Sequence, residues 1–130
     1  MSLVSLVRIQ RDDFKTALLD SLRLIDYRFP LDAKRIVIKP NMCYYYDFST
    51  VFTPDTKFVG ALIEVLRERV STNPEISIIE SDASAMKCKY AFKMLGYEDL
   101  ARKYSVSLVN LSEEECETET VRVGRYSFNI

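Results

Sequence analysis

Apolar and polar residues follow two patterns along the chain, one typical of strands and the other typical of helices. Four apolar runs predict strands at Val4–Ile9, Arg35–Lys39, Ile76–Ile79 and Val106–Leu111. The segments between them carry apolar residues at three- and four-residue spacing, which is typical of helices with one buried face. In the second strand the run Ile36-Val37-Ile38 is continuous, as in strands that are covered on both faces. Strands that alternate with helices predict a three-layer α/β sandwich with a mostly parallel sheet.

The starts and breaks of the predicted helices are marked by residues that favour caps and turns. Asp12 or Asp13 is expected to cap the first helix, and Thr53 the second, with the following proline at its first helical position. The third helical region, from about Met86 to Tyr104, contains Gly96 and is expected to divide there. After an acidic stretch, the sequence TVRVGRYSFNI predicts one or two further strands.

The length and composition of the chain argue against several classes of protein. The chain has 130 residues, which predicts a single domain over residues 1–130. The net charge of -1 argues against nucleic acid as a partner, and the absence of histidine excludes histidine as a general base or metal ligand. No apolar run reaches the ~20 residues of a transmembrane helix. The first residues also lack the basic start and long apolar stretch of a signal peptide. We therefore expect a cytoplasmic protein with no membrane contact.

The three cysteines show no spacing that is typical of metal sites. Cys43, Cys88 and Cys116 fall in a predicted loop, a predicted helix and an acidic turn. We expect free thiols, with no intrachain disulfide and no bound cluster. Cys116 is flanked by glutamates, so its thiol pKa is expected to be raised and its reactivity low.

Polar residues directly follow two of the predicted strands. Lys39-Pro40-Asn41 follows the second strand, and Glu80-Ser81-Asp82 follows the third. Ligands of open α/β sheets bind beyond the carboxyl ends of the strands. The predicted helix start at Thr53 would add backbone N–H groups that favour an anion. The candidate ligand-binding residues are Lys39, Asn41, Thr53, Glu80, Ser81 and Asp82.

These residues have both functional and ordinary structural interpretations. Lys39 can fix an anionic ligand or pair with Glu80 or Asp82, and the two carboxylates can act as a base or as ligands for a hard cation such as Mg²⁺. On the structural interpretation, Lys39 is a solvated strand end, and Ser81, Asp82 or Ser84 caps the following helix. Their joint position after two strands favours the site.

The loop after the second strand is rich in aromatic residues. They are Tyr44, Tyr45, Tyr46, Phe48 and Phe52. The loop contains no lysine or arginine, so we do not expect it to stack nucleic-acid bases. A loop of this length is usually functional or mobile. We expect either a lid over the polar site or a surface that packs on another chain.

The last predicted strands are apolar up to the final residue. Their apolar residues are Val121, Val123, Tyr126, Phe128 and Ile130. A strand of this kind leaves an open edge or an uncovered face, which favours pairing with another chain. Either self-association as a homodimer or a C-terminal region beyond this chain would cover the surface.

Several segments together resemble one protein family. IVIKPNMC, TPDTKFVGALIEVLRER, IIESDAS and AFKMLGYEDLARKYSVSLVNLS follow the order seen in the family called domain of unknown function 362. Its members share a strand that ends in Lys-Pro-Asn, a Thr-Pro or Thr-Asp helix start, a strand that ends in a Glu-Gly or Glu-Ser turn, and a Gly-Tyr pair. The resemblance covers about residues 33 to 112. It implies an α/β domain without an established reaction.

The same resemblance bears on cofactors and length. Many members of the family carry ferredoxin-like cysteine clusters, which implies a redox setting and a ferredoxin-like partner. This chain has no such cluster, so no intrinsic iron–sulfur cofactor is expected, and the cofactor is otherwise unknown. Family members also run beyond this length, so the chain is expected to be a short form or the N-terminal part of a longer family domain.

Two functions follow as hypotheses. In the leading one, the strand ends bind a small polar or anionic ligand or a hard metal ion, as part of a redox-linked enzyme. The alternative is a non-catalytic interaction module that self-associates through the aromatic loop and the C-terminal strands. Tyrosines folded over a polar crevice would favour the first, and tyrosines on a flat apolar patch the second.

Overall fold

The computed structural model describes residues 2–42, 44–115, 117 and 119–129. Its parallel sheet has the order β1-β2-β3, with β1 (Arg35–Ile38), β2 (Glu75–Glu80) and β3 (Ser107–Asn110). The α-helices of these residues are α1 (Phe14–Leu24), α2 (Thr56–Arg69), α3 (Cys88–Met94) and α4 (Tyr97–Tyr104). A short 3-10 turn spans Phe48–Thr50, and β4 (Thr120–Val123) and β5 (Tyr126–Asn129) form a separate antiparallel hairpin. The predicted α/β fold with a mostly parallel sheet is confirmed.

Helix α2 supplies much of the core that covers the sheet. Val59 and Ile63 on α2 belong to one buried cluster with Ile76 and Ile78 on β2. Ile63 and Ile78 are fully buried, and each such side chain stabilises the fold by about 1.5–3 kcal/mol relative to exposure. Helix α1 packs on α2. The layers therefore follow the order sheet, α2, α1.

The sheet is covered less completely than the continuous apolar run of β1 predicted. Ile38 is buried, but Val37, whose side chain points to the other face, is 58% exposed. The expectation that both faces of this strand are covered is therefore wrong at Val37. The physical reason is that α1 packs on α2 instead of on the sheet. Val37 is a strand residue because β-branched side chains suit strands, not because it is buried.

The predicted first strand, Val4–Ile9, is wrong. Residues 2–10 form no strand, and Val4 and Leu6 are 90% and 96% exposed. Ser5 Oγ lies 2.6 Å from Ser21 Oγ, which holds this segment beside α1. A strand needs a hydrogen-bonded neighbour. Alternation of apolar residues alone could not reveal that α1, and not a strand, lies next to this segment.

The helix caps were predicted correctly for α1 and incorrectly for α2. Asp13 caps α1, where its carboxylate accepts a hydrogen bond from Thr16 N at 3.0 Å. Helix α2 begins at Thr56 with Asp55 as its cap, so the prediction of Thr53 as the cap is wrong. The side chain of Thr53 is buried, and its hydroxyl has no hydrogen-bond partner among the described residues, so it caps no N–H group of the helix there. The helix then starts after Asp55, whose carboxylate accepts from the N–H of Lys57.

Gly96 divides the third helical region into α3 and α4, as predicted. Its φ of +81° lies in the left-handed region, which glycine adopts without the steric cost that a Cβ atom brings. No helix of the described residues is long and apolar enough to cross a membrane.

The C-terminal residues form two strands, and these have one apolar face. Val121 lies opposite Phe128, and Val123 lies opposite Tyr126. Residues directly opposite each other in an antiparallel pair project to the same side. Val123, Tyr126 and Phe128 are all more than half exposed. The described part of the chain therefore leaves the apolar face of this hairpin open.

Candidate functional site

An ion pair joins the carboxyl ends of β1 and β2. Glu80 is the last residue of β2 and is only 6% exposed, and its Oε1 accepts from Lys39 Nζ at 2.8 Å. The same oxygen accepts from the backbone N–H of Ser81 at 2.9 Å. The side chain of Lys39 is 54% exposed. The buried carboxylate of Glu80 is thus paired with an ammonium group that also faces solvent. The ammonium group of lysine has further N–H donors for a ligand.

Asp82 connects three elements beyond the ion pair. Its Oδ1 accepts from the backbone N–H of Cys88 at the start of α3, and from Asn110 Nδ2 at the end of β3, at 2.9 and 3.3 Å. Its Oδ2 accepts from Lys87 Nζ at 2.7 Å. The hydrogen bond from Lys87, followed by that from Cys88, lowers the pKa of Asp82. Asp82 therefore acts here as a structural anion that fixes α3 and β3 against β2.

Asn41 and Thr53 lie in the segment that links β1 to α2. Asn41 Nδ2 donates to the carbonyl oxygen of Phe52 at 2.6 Å, which closes the aromatic loop at its base. Thr53 is 4% exposed, and its hydroxyl has no hydrogen-bond partner among the described residues. The carboxylate of Asp55 already caps α2. The N–H groups of this helix are therefore less available to an external anion than the sequence suggested.

The aromatic loop is anchored to the site by one tyrosine. The hydroxyl of Tyr45 accepts from the backbone N–H of Lys87 at 2.6 Å, and the ring of Tyr45 packs against the buried core. Tyr44, Tyr46 and Phe52 are about half exposed, and the ring of Tyr46 contacts the rings of the other two. The loop thus combines an inner residue beside the polar site with an outer aromatic patch.

Tyr97 is a further buried polar group, and the sequence did not single it out. It is the first residue of α4, it is fully buried, and its hydroxyl has no partner among the described residues. Burial raises the pKa of Tyr97, and the negative charges of Asp55 and Glu80 raise it further. The only signal in the sequence was the Gly-Tyr pair at residues 96 and 97.

The described carboxylates are not arranged to hold a metal ion. The described residues contain no group of three or more histidine, cysteine, aspartate or glutamate side chains that could hold a metal. Glu80 and Asp82 are each bound to a lysine ammonium group. A hard cation would have to displace both lysines, because cations and ammonium groups compete for the same carboxylate oxygens.

Cys88 lies close to these carboxylates but is closed to solvent. It is a free cysteine with 0% exposure at the start of α3. Burial, with the negative charges of Glu80 and Asp82, raises the pKa of its thiol to about 11. Cys43 and Cys116 lie outside the described residues. The absence of a disulfide and the low reactivity of Cys116 therefore stay predictions.

Two surface cavities lie away from the strand ends. One of about 900 Å³ is formed by the N-terminal segment and α1, and its lining includes Leu6, Arg11 and Arg23. The other, of about 280 Å³, is lined by residues from Asp12 to Lys15 and by residues of α2 and α4. Neither contains Lys39, so the strand-end site is distinct from both.

Some of the candidate residues are hydrogen-bonded to one another, and others have different partners. Lys39, Glu80 and the backbone of Ser81 form one hydrogen-bonded unit. Asp82 belongs to a neighbouring unit with Lys87, and Asn41 is bound to the loop. Their role in ligand binding stays a prediction.

Comparison with known proteins supports the family that the sequence segments resembled. No curated protein and no solved structure matches the chain. The family model described as "Domain of unknown function (DUF362)" matches residues 36–130, which is most of the chain, and the chain therefore belongs to this family.

Proposed function

We propose that the carboxyl ends of β1 and β2 bind a small polar or anionic ligand. Lys39 supplies the positive charge, and Glu80 holds Lys39 in place from its buried position. The observation that carries this proposal is the pairing of a 6% exposed carboxylate with a half-exposed ammonium group at a sheet edge. Burial of a charged group costs free energy. The carboxyl ends of the strands in open α/β sheets are common ligand sites.

The hard-metal form of the hypothesis has less support than the polar or anionic form. Both candidate carboxylates are already neutralised by lysines. The redox-linked setting and the ferredoxin-like partner rest on the family resemblance, and the cytoplasmic location is an expectation from the sequence. They remain predictions beside this proposal.

The test is a titration of the protein with acetate and with inorganic phosphate, followed by backbone amide NMR. We expect saturable shifts at the amides of Asn41 and Ser81. Lys39→Gln should weaken binding about tenfold or more, since a hydrogen bond to a charged group is lost. Lys39→Arg, which keeps the charge, should retain much of the binding.

A matched control comes from the other end of the same strand. Lys34 is exposed and precedes β1 at its amino end. Lys34→Gln removes the same charge and should leave the titration unchanged. The proposal is wrong if neither anion produces saturable shifts, or if Lys34→Gln and Lys39→Gln weaken binding equally.

A second candidate function is self-association through the C-terminal hairpin. Its support is the open apolar face made by Val121, Val123, Tyr126 and Phe128. An isolated two-stranded hairpin is marginally stable in water. A second copy of the chain would cover this face, and a stable contact would bury more than about 1,000 Å² in total.

Light scattering at micromolar concentration tests this second candidate. A dimer is expected, and Phe128→Ser should convert it to a monomer. Arg122→Gln is the control, because Arg122 lies on the opposite face of the hairpin. A monomeric mass for the unmodified protein would contradict the candidate.

A further inference from the structure

The larger of the two surface cavities has more positive than negative side chains in its lining. It has a volume of about 900 Å³ and is formed by residues 6–11 of the N-terminal segment and by α1. Sites that hold small molecules typically have volumes of about 300–1,000 Å³. Three guanidinium groups and two carboxylates line this one cavity, and they belong to Arg8, Arg11, Asp13, Asp20 and Arg23.

The cavity is a groove that follows one face of α1. The lining residues of the helix recur at three- and four-residue spacing, as Asp13, Thr16, Ala17, Asp20 and Leu24. The N-terminal segment runs antiparallel to the helix, since Ser5 contacts Ser21 and the carbonyl oxygen of Gln10 accepts from the N–H of Asp13 at 2.9 Å. Helix α1 has 11 residues, so the groove is about 16 Å long. This length fits a small molecule.

Both carboxylates of the groove already have partners. Asp20 Oδ1 accepts from Arg23 Nη1 at 3.0 Å. Asp13 caps α1 by accepting from a backbone N–H of its first turn, and the helix dipole stabilises a negative charge at this end. Arg8 and Arg11 are exposed, and neither has a hydrogen bond or ion pair among the described residues. Two guanidinium groups of the groove are therefore available to a ligand.

The turn before α1 keeps a further carboxylate out of the groove. Arg11 and Asp12 have φ values of +52° and +59°, a left-handed conformation that has a steric cost in residues with a Cβ atom. Asp12 Oδ2 accepts from Lys57 Nζ at 3.2 Å. Asp12 lines the smaller cavity, whereas Arg11 lines the groove. Backbone strain of this kind is concentrated at functional sites, and here it separates Arg11 from the neighbouring carboxylate.

We propose that this groove binds a small organic phosphate monoester. Its phosphate group carries a charge of about -1.5 to -2 at pH 7, which matches the two available guanidinium groups of Arg8 and Arg11. The planar fork of arginine also suits the oxygens of phosphate. A carboxylate would match only one of these groups. The organic part of the ligand lies against the apolar lining residues, which are Leu6, Val7, Ala17 and Leu24. This site is separate from the strand ends and does not depend on the proposed function.

Phenyl phosphate, benzoate and inorganic phosphate are the probes. Phenyl phosphate shares its ring with benzoate and its charged group with inorganic phosphate. Each probe is titrated into the protein and followed by backbone amide NMR. We expect saturable shifts at the amides of Arg8, Gln10 and Ala17. Phenyl phosphate should bind about fivefold or more tightly than either of the other probes, because only it uses both guanidinium groups and the apolar lining.

Variants of exposed residues separate the charged and apolar contacts without disturbing the core. Arg8→Gln and Arg11→Gln should each weaken the binding of phenyl phosphate about tenfold, since a hydrogen bond to a charged group is lost. Arg28→Gln is the matched control, because Arg28 is exposed and does not line the groove. Leu6→Ser should reduce the preference for phenyl phosphate over inorganic phosphate. Leu3→Ser should leave it unchanged, since Leu3 is 71% exposed and outside the lining.

The amides of Asn41 and Ser81 report the strand-end site separately in the same spectra. Lys39→Gln should leave the shifts in the groove unchanged. The inference is overturned if phenyl phosphate gives no saturable shifts in the groove, or if benzoate binds there equally well. Equal weakening by Arg28→Gln and Arg8→Gln would also overturn it. A short phosphotyrosine peptide that binds tenfold more tightly than phenyl phosphate would overturn the assignment of a small molecule.

Discussion

Replacement of Lys39 by methionine tests how strongly the strand-end ion pair stabilises the fold. The change keeps an unbranched side chain and removes the ammonium group that lies 2.8 Å from Glu80 Oε1. Among the described residues, the carboxylate of Glu80 then keeps only the backbone N–H of Ser81 as a donor. A buried charge with one donor is destabilising, since its solvation by water is not replaced.

The exposure of the two partners sets the size of this effect. Breaking a fully buried pair costs about 3–5 kcal/mol, whereas exposed pairs contribute about 0–1 kcal/mol. The side chain of Glu80 is 8% exposed, but that of Lys39 is 54% exposed. Water can therefore take over part of the lost interaction, and we expect a loss of about 1–2 kcal/mol. For 130 residues this lowers the melting temperature by about 4–7 °C.

A double-mutant cycle with Glu80→Gln isolates the pair. Lys39→Met, Glu80→Gln and the double variant are compared by urea unfolding at neutral pH. The double variant should be more stable than the two single losses together predict, by a coupling free energy of about 1 kcal/mol. Equal stability of Lys39→Met and the unmodified protein, or additive losses, would refute the role assigned to the ion pair.

Three further predictions concern single residues. The pKa of Asp82 is lowered from 3.8, foremost by the hydrogen bond from Lys87. The carboxylate of Asp82 therefore stabilises the fold fully above this pH, and its contribution is lost as the pH falls through the lower pKa of the folded state. Between about pH 5 and pH 2, the melting temperature of Asp82→Asn should therefore depend less steeply on pH than that of the unmodified protein. Gly60→Ala would place a Cβ atom 2.9 Å from the ring of Tyr104. Urea unfolding should show a loss of about 1 kcal/mol, despite the higher helix propensity of alanine. Iodoacetamide at neutral pH should leave Cys88 unmodified in the folded protein and modify it after denaturation, as read by peptide mass spectrometry, because burial raises its thiol pKa to about 11.

The parallel sheet was predictable from the sequence because its strands have strong local signals. The Ile36–Ile38 run and the Ile76–Ile79 run combine β-branched residues with flanking turn signals. The division at Gly96 was predictable for a similar reason, since its left-handed conformation is one that glycine adopts without steric cost. In both cases the decisive interactions lie within a few residues of each other.

The misplaced strand and helix cap show what local patterns do not contain. Val4–Ile9 has the alternation of a strand, but it lies beside α1, to which the contact of Ser5 with Ser21 holds it. At the start of α2, Thr53 and Asp55 are both good cap residues. The choice depended on which side chain meets a free N–H group: the carboxylate of Asp55 does, whereas the hydroxyl of Thr53 has no partner among the described residues.

The positions of the candidate site residues were predictable from the sequence, but their hydrogen-bond partners were not. Lys39 and Glu80 were both expected at the strand ends, and their contact follows from the parallel register of β1 and β2. Tyr97 was not among the predicted residues, because its burial at the start of α4 depends on packing that the sequence does not show. Only its complete burial together with an unpaired hydroxyl distinguishes it.

The Lys39–Glu80 pair also limits how tightly the site can bind a simple anion. An incoming acid shares the ammonium group with the carboxylate of Glu80, which stays 2.8 Å away and repels it. The cation alone therefore gives weak and unselective binding. Selectivity has to come from further contacts with uncharged groups, because discrimination by hydrogen bonds is strong where the analogue that lacks the group leaves buried partners unpaired.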